Sequence, residues 1–400
     1  MEPVINTINK CNPLEKAIFY KICKYSSLSK PELLKQLNLK HATLTRAVDS
    51  LIQKDLLVQI SAGKSSALGR RPKLLSVNPN SFYLIGVDIS RMYLGIILMD
   101  ASLQKIEYFE YELGASTSPQ FIIDKISNHV AYLLEKYSID KRKILGLGIG
   151  AVGKLEKNEG VIVYADNFGT DWSNIPIKKM LQNRLEIPVT LENGANAATF
   201  AEFIMGSASN YEHVLLVNIG VGVRCGVITD GRIVQNINNI DSTYGHIVVE
   251  PSGKKCMCGN YGCMVMYSTT KPIIEEFKKM SKLQNSNLSS ESVENIRFKD
   301  VVDYAKKGDL SAINILTNAA VYMGIGLANI VSILNPEVVV LGGPIIERSD
   351  LYLSKVIEVA KARIFRIEER NITFIKSHFE KEAVSTGICA IILKQAFEEK

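Results

Sequence analysis

Apolar positions in the first eighty residues fall at helical spacing. Leu14, Ala17, Ile18 and Ile22 recur every three to four residues and predict one helix. Ser29-Lys30-Pro31-Glu32 opens a second. Ser29 can cap it, Glu32 completes a capping box, and proline is tolerated in a first turn. Leu33, Leu34 and Leu37 form its apolar stripe. A brief turn at Asn38 leads to a third helix, about His41 to Lys54, with Leu44, Val48 and Leu51 facing inward. Two short amphipathic helices joined this way predict a helix-turn-helix. The period then changes. Leu56 to Ile60 reads as a strand, Ser61 to Gly69 as a Gly/Ser-rich tip, and Lys73 to Val77 as the returning strand, a hairpin placed like a wing.

From residue 82 the pattern is of buried strands. Leu84–Ile89 and Tyr93–Leu98 are joined by a tight turn, and Lys105 to Leu113 follows. A helical stretch from Pro119 to Tyr137 leads to Ile144–Gly150. Strands alternating with helices predict an α/β fold. Val214–Ile219, the turn Gly220-Val221-Gly222 and the strand from Val223 to Ile228 repeat the strand-turn-strand unit about 130 residues later. No apolar run reaches the length expected of a membrane span, and Met1-Glu2-Pro3-Val4 lacks the basic and apolar regions of a signal peptide.

Charge separates the two parts. The chain of 400 residues carries a net +6, enough length for two or three domains. Residues 1–80 hold thirteen Lys/Arg against five Asp/Glu, a net +8, and the remainder is close to neutral. A basic terminal module on a near-neutral body points to a polyanion, here double-stranded DNA. A solvated basic face or a protein-binding module would carry the same charge; helix order, hairpin and charge together favour DNA. The outward side of the third helix offers His41, Thr43, Thr45 and Arg46 to base edges and phosphates in the major groove. The hairpin offers Lys64, Arg70, Arg71 and Lys73 to the backbone or minor groove.

The densest chemistry is Gly245-His246 followed by Cys256-Met257-Cys258-Gly259-Asn260-Tyr261-Gly262-Cys263. One His and three Cys form the closed four-ligand set of structural zinc: His246, Cys256, Cys258 and Cys263. Three reduced cysteines without metal are the alternative. Cys11, Cys23, Cys225 and Cys389 are scattered singly, so a reducing cytoplasm is expected.

This segment resembles the signature of the ROK family, which groups bacterial sugar kinases with sugar-responsive repressors. Its kinase pattern runs Gly-Glu-x-Gly-His and then Cys-x-Cys-Gly-x-x-Gly-Cys-x-Glu. Thr243 and Val265 stand here for the two glutamates. Leu39-Lys40-His41-Ala42-Thr43-Leu44-Thr45-Arg46 and Gly69-Arg70-Arg71-Pro72-Lys73 are similar to the recognition helix and wing exit of the repressor branch, with Lys40 replacing the usual capping Ser. Leu334-Asn335-Pro336-Glu337 through Leu341-Gly342-Gly343-Pro344 matches the family's motif beside the adenosine pocket.

The resemblance implies a winged helix-turn-helix (1–78) and a two-lobed actin-like, ribonuclease H-like body of sugar-kinase type with a cleft between lobes. The expected lobes are 82–198, completed by a terminal helix at 383–400, and 199–382 with the zinc loop. It also implies where kinase chemistry is lost. The base of Glu-Asn-Asp-Ala-Asn-Ala becomes Gly194 in Glu192-Asn193-Gly194-Ala195-Asn196-Ala197. The first phosphate turn is Asp88-Ile89-Ser90-Arg91-Met92, and the second is Gly220-Val221-Gly222-Val223-Arg224-Cys225-Gly226, both short of the family's glycines. A positioned base is worth roughly 10²–10⁴ in rate. No catalysis is expected. Of the sugar contacts, Asn193 and His246 remain, Thr243 replaces an acid, and Asn167 lies in a segment similar to the family's Asn-Leu-Gly. The expected protein is a homodimeric or tetrameric DNA-binding regulator, usually a repressor, of carbohydrate-utilisation genes, answering to a sugar or sugar phosphate. A protein partner in place of the small ligand, or a sugar kinase, is the alternative.

Overall fold

The computed structural model describes residues 2–61, 73–114, 117–165, 168, 171–235, 243–283 and 294–398. It divides into two compact units, residues 1–205 with 382–400, and residues 206–381. The break at Met205 follows from α7 (Gly194–Ile204), which runs unbroken through the position expected to begin the second lobe.

The first unit opens with α1 (Val4–Asn9), α2 (Pro13–Lys24), α3 (Lys30–Leu37) and α4 (His41–Gln53). Strands β1 (Leu28–Ser29), β2 (Leu57–Ser61) and β3 (Lys73–Val77) form a small sheet in the order β1-β3-β2. Ser29 caps α3 as expected: its hydroxyl accepts from Glu32 N–H at 3.4 Å, and the Glu32 carboxylate accepts from Ser29 N–H at 2.7 Å. Asn12 and Glu15 build a second capping box at α2. No side chain caps α4 at Lys40. Ile18 and Ile22 are buried on α2, but Ala17 is exposed; Phe19 and Cys23 complete the buried face instead. Glu15 is itself buried and meets Lys54 Nζ at 2.6 Å, tying α2 to the end of α4.

The body of this unit is a five-stranded sheet of β4 (Tyr83–Ile89), β5 (Tyr93–Asp100), β6 (Lys105–Glu112), β7 (Ile144–Ala151) and β11 (Val189–Asn193), ordered β11-β7-β4-β5-β6. The hairpin strands β4, β5 and β6 are antiparallel, while β7 and β11 join parallel to β4 and β7. Helices α5 (Pro119–Lys136) and α6 (Ile177–Leu185) contribute Ile122, Ile126, Val130 and Leu181 to the core on one side. A small antiparallel sheet holds β8 (Lys154–Glu156), β9 (Val161–Tyr164) and β10 (Ser173–Ile175).

The second unit repeats the plan. Its sheet holds β12 (Val214–Ile219), β13 (Val223–Thr229), β14 (Arg232–Ile233), β15 (Val338–Gly342) and β16 (Thr373–Lys376), ordered β14-β13-β12-β15-β16. Again three strands are antiparallel and two are parallel additions. Around it lie α8 (Val265–Ser268), α9 (Thr270–Leu283), α10 (Phe298–Lys306), α11 (Leu310–Leu334), α12 (Pro344–Arg348) and α13 (Asp350–Arg363). The reading that no apolar run reaches membrane-span length needs correction. Helix α11 is long and apolar enough, yet Leu316, Ala320, Met323 and Leu327 are fully buried in this unit's core, which accounts for its composition. The last helix, α14 (Ala383–Phe397), returns to the first unit and packs on α7, β4 and β7.

Candidate metal centre, effector residues and nucleic-acid interface

In the second unit, His246, Cys256, Cys258 and Cys263 place one ligand atom each within 4.8 Å of one another. Two isolated bridges, Val248 with Cys263 and Lys255 with Tyr261, pinch the loop. Cys256 N–H donates to Asn260 O at 2.7 Å, closing the turn between the cysteines. Gly262 has φ +71°, and a Cβ there would lie 1.7 Å from Glu250 O, so only glycine fits. Cys258 Sγ lies 3.7 Å from Cys263 Sγ, and Cys256 Sγ lies 3.5 Å from His246 Nδ1. A tetrahedral zinc with Zn–S of about 2.3 Å needs ligand separations of roughly 3.7 Å, which these two pairs match, and all four groups lie close enough to share one ion. Burial pushes the Cys263 thiol up to about 12, while a backbone N–H from Asn260 pulls exposed Cys258 below its usual range. Burial also lowers His246 and favours the neutral, ligating ring.

Thr243 is exposed at the start of the short turn that ends in His246. Val265 packs its Cγ1 3.4 Å from where a Cβ on Gly245 would sit. The side chain in the place of the family's last glutamate is thus spent on packing beside the loop.

In the first unit, β11 ends at Asn193, whose side-chain oxygen accepts from Ala195 N–H at 2.8 Å and Asn196 N–H at 3.3 Å to cap α7. Glu192 is buried. Lys157 Nζ reaches it at 3.1 Å, and Asn193 N–H and Asn196 Nδ2 also donate to it. Lys157 was not legible as a site residue, because a lysine in a Lys-Asn-Glu-Gly turn gives no signal of its partner. A Cβ on Gly194 would meet nothing closer than Ala151 O at 3.5 Å, so its glycine is not demanded by space.

The β4–β5 turn is closed by its own hydrogen bonds. Ser90 Oγ accepts from both Met92 N–H and Tyr93 N–H at 3.2 Å, and Ser90 N–H donates to Tyr93 O at 3.0 Å. Backbone donors that cradle a phosphate elsewhere are already used within this turn. In the β12–β13 turn, Gly220 N–H donates to Gly222 O at 2.9 Å, and Val221 is exposed. Arg91 and Arg224 are each engaged within the chain. At the late glycine pair, Gly343 has φ +94°, and a Cβ would lie 2.6 Å from Ile219 O.

On α4, His41, Thr43 and Arg46 are exposed and Thr45 is half-buried, with its hydroxyl 3.4 Å from His41 Nδ1. The opposite face buries Leu44, Val48 and Leu51. Lys73 is exposed at the start of β3. Lys64, Arg70, Arg71 and Asn167 lie outside the described residues. The structure therefore groups the four metal-ligand candidates, and separately the four α4 positions. Asn193 belongs to the first unit, Thr243 and His246 to the second.

Comparison with known proteins agrees with this architecture. The ROK family model matches residues 84–395. The chain is 27% identical to the xylose repressor of Bacillus spizizenii over 380 residues, 95% of this chain and 94% of that protein. A crystal structure of a ROK family transcriptional regulator, described as a homolog of E. coli MLC protein, superposes with a TM-score of 0.78 at 20% identity, covering 96% of this chain and 97% of the other. A ROK family glucokinase from Streptomyces griseus, solved with glucose and AMPPNP, gives a TM-score of 0.67 at 25% identity; it covers 98% of its own length but 77% of this chain.

Proposed function

This chain belongs to the ROK family, and from that premise we propose that it is a sugar-responsive transcriptional repressor whose kinase-type body senses and does not phosphorylate. The observation that carries this reading is the face of α4. His41, Thr43, Thr45 and Arg46 stand outward on the second helix of a helix-turn-helix, in a module with a net +8. The repressor relatives cover 95% and 96% of the chain, whereas the glucokinase likeness covers 77% of it.

In the proposed complex, the N-terminal residues of α4 enter the major groove, and the β2–β3 hairpin with Lys64, Arg70, Arg71 and Lys73 follows the backbone. A palindromic operator and a homodimer or tetramer suit so small a module. His246, Cys256, Cys258 and Cys263 would hold zinc, which supplies a structural crosslink and leaves no open coordination position. Asn193, Thr243, His246 and Asn167 are the proposed effector contacts, for a sugar or sugar derivative. The reducing cytoplasm is the setting these roles require.

Two observations support the loss of phosphoryl transfer. Gly194 offers no base, and the β4–β5 turn has its N–H donors satisfied by Ser90. A protein partner as effector is a second reading, favoured by three missing carboxylates, at Gly194, Thr243 and Val265, each of which would bond sugar hydroxyls strongly. Calorimetry of the whole chain against xylose, N-acetylglucosamine, glucose and their phosphates separates the two. Saturable heat with one of them, coupled to release from DNA, supports the sugar reading; no heat with any supports the partner. ATP turnover with any sugar overturns the non-catalytic assignment.

A further inference from the structure

Strand β7 reads Ile144-Leu145-Gly146-Leu147-Gly148-Ile149-Gly150-Ala151. Its glycines recur every second residue and so share one face of the sheet. Helix α14 lies against that face. A Cβ on Gly150 would sit 2.2 Å from Val384 Cγ1, on Gly148 2.3 Å from Ile388 Cγ1, and on Gly146 3.2 Å from Ile392 Cγ2. Val384, Ile388 and Ile392 are four residues apart and make one ridge of the helix. Two further glycines bring backbone to backbone. A Cβ on Gly86 of β4 would lie 1.9 Å from Ser385 O, and one on Gly387 of α14 would lie 1.7 Å from Ala197 O of α7. The helix is held by the sheet and by α7, and the β7 glycines put no strand side chain between to absorb a displacement.

Its two ends touch different things. At the start, the Val384 methyls lie 3.7 Å from where a Cβ on Gly194 would be, beside the capping residue Asn193. At the end, the Phe397 ring stacks on Phe19 of α2, with centroids 3.9 Å apart and planes 7° from parallel, and Phe82 lies 6.3 Å away. Thirteen residues separate Val384 from Phe397, about 20 Å of helix.

We propose that α14 is a rigid connection between the Asn193–Gly194 corner and the helix-turn-helix. A change of position at the corner shifts Val384, the whole helix moves along its glycine track, and Phe397 passes the shift to Phe19 and so to the packing of α2 against α4. The proposal rests on the reading that Asn193 meets the effector and that α4 meets DNA. It adds a route by which the two sites bias each other within one unit, with reciprocal coupling.

The test uses the full chain. Gly150→Ala crowds Val384 from the strand side. Val384→Ala relaxes the same contact without crowding, and serves if the first variant folds poorly. Gly95→Ala is the control, because the nearest atoms to a Cβ there all belong to Tyr108, the closest at 2.9 Å, and none to α14. Phe397→Ala cuts the far end. The readouts are amide hydrogen exchange across α2–α4 and affinity for random-sequence duplex DNA at fixed salt. We expect Gly150→Ala or Val384→Ala to change exchange in α2–α4 by about tenfold more than Gly95→Ala does. In a Phe397→Ala background that difference should shrink to under about twofold. Equal effects from Gly95→Ala, or full additivity with Phe397→Ala, overturn the connection. Coupled exchange in a chain that binds no DNA overturns the DNA reading and leaves the connection standing.

Discussion

The two sheets share one strand plan but are closed in different ways. In the first, β7 carries three glycines on one face, and a buried helix lies directly on the strand. In the second, the strand in the same place, β15, reads Val338-Val339-Val340-Leu341-Gly342, and its bulky side chains are fully buried. The second unit has instead the pinched loop with four metal-ligand candidates, a feature the first lacks among the described residues. One topology therefore accommodates both backbone-close helix packing and a pinched loop of four metal-ligand candidates. The module at the chain's beginning packs on the unit that uses the helix.

This contrast is easiest to break at the four metal-ligand candidates. Purified protein should hold about one zinc per chain, and Cys258→Ser should remove most of it. Hydrogen exchange should then rise around Gly245–Cys263 and leave β7 and α14 protected. Metal-free wild type of equal thermal stability would contradict the crosslink. Next comes the helix. Gly148→Val places atoms into Ile388 and should cost about 3 kcal/mol by urea unfolding, whereas Val340→Ala in the matching strand should cost about 2 kcal/mol. Equal or reversed costs would mean that the close approach of α14 is not what the glycines are for.

A smaller effect concerns Glu15. Burial opposes its charge, but hydrogen bonds from Lys54, Ser50 and the Asn12 N–H outweigh that and hold its carboxyl below the usual range. A carboxyl depressed in the folded state adds stability above its unfolded pKa of about 4.3, lost as pH falls through the folded value. Lys54→Ala should cost about 2 kcal/mol near neutrality, and the cost should fade in acid. A pH-independent cost would show that the pair is not the cause. The smallest expected change is at Gly194→Asp. A Cβ there meets only ordinary contacts, yet ATP turnover should remain at background, since Ser90 still occupies the turn's donors. Robust turnover would mean that the turn opens for a phosphate.

Local signals carried much of this into view from the sequence. The Ser29–Glu32 box, the apolar stripe of α4 and the paired strand-turn-strand units all depend on neighbours within a few residues. The His/Cys spacing was legible because turn chemistry and ligand chemistry sit in one short segment. What could not be read depends on partners far along the chain. Ala17 falls at a helical spacing yet is exposed, and Phe19, stacked on Phe397, belongs to the buried face instead. Lys157 finds Glu192 thirty-five residues away. The glycines of β7 looked like an ordinary buried strand, since their use is fixed by a helix more than 230 residues later.

The central claim is sequence-specific DNA recognition through α4. Selection of the full-length wild type against a random duplex library tests it most directly. The account predicts one enriched, palindromic motif, with binding that weakens steeply with salt, and no such enrichment from Arg46→Ala or Thr45→Ala protein that still binds zinc and unfolds normally. A library left unenriched by wild type, or the same motif recovered by both variants, would contradict it.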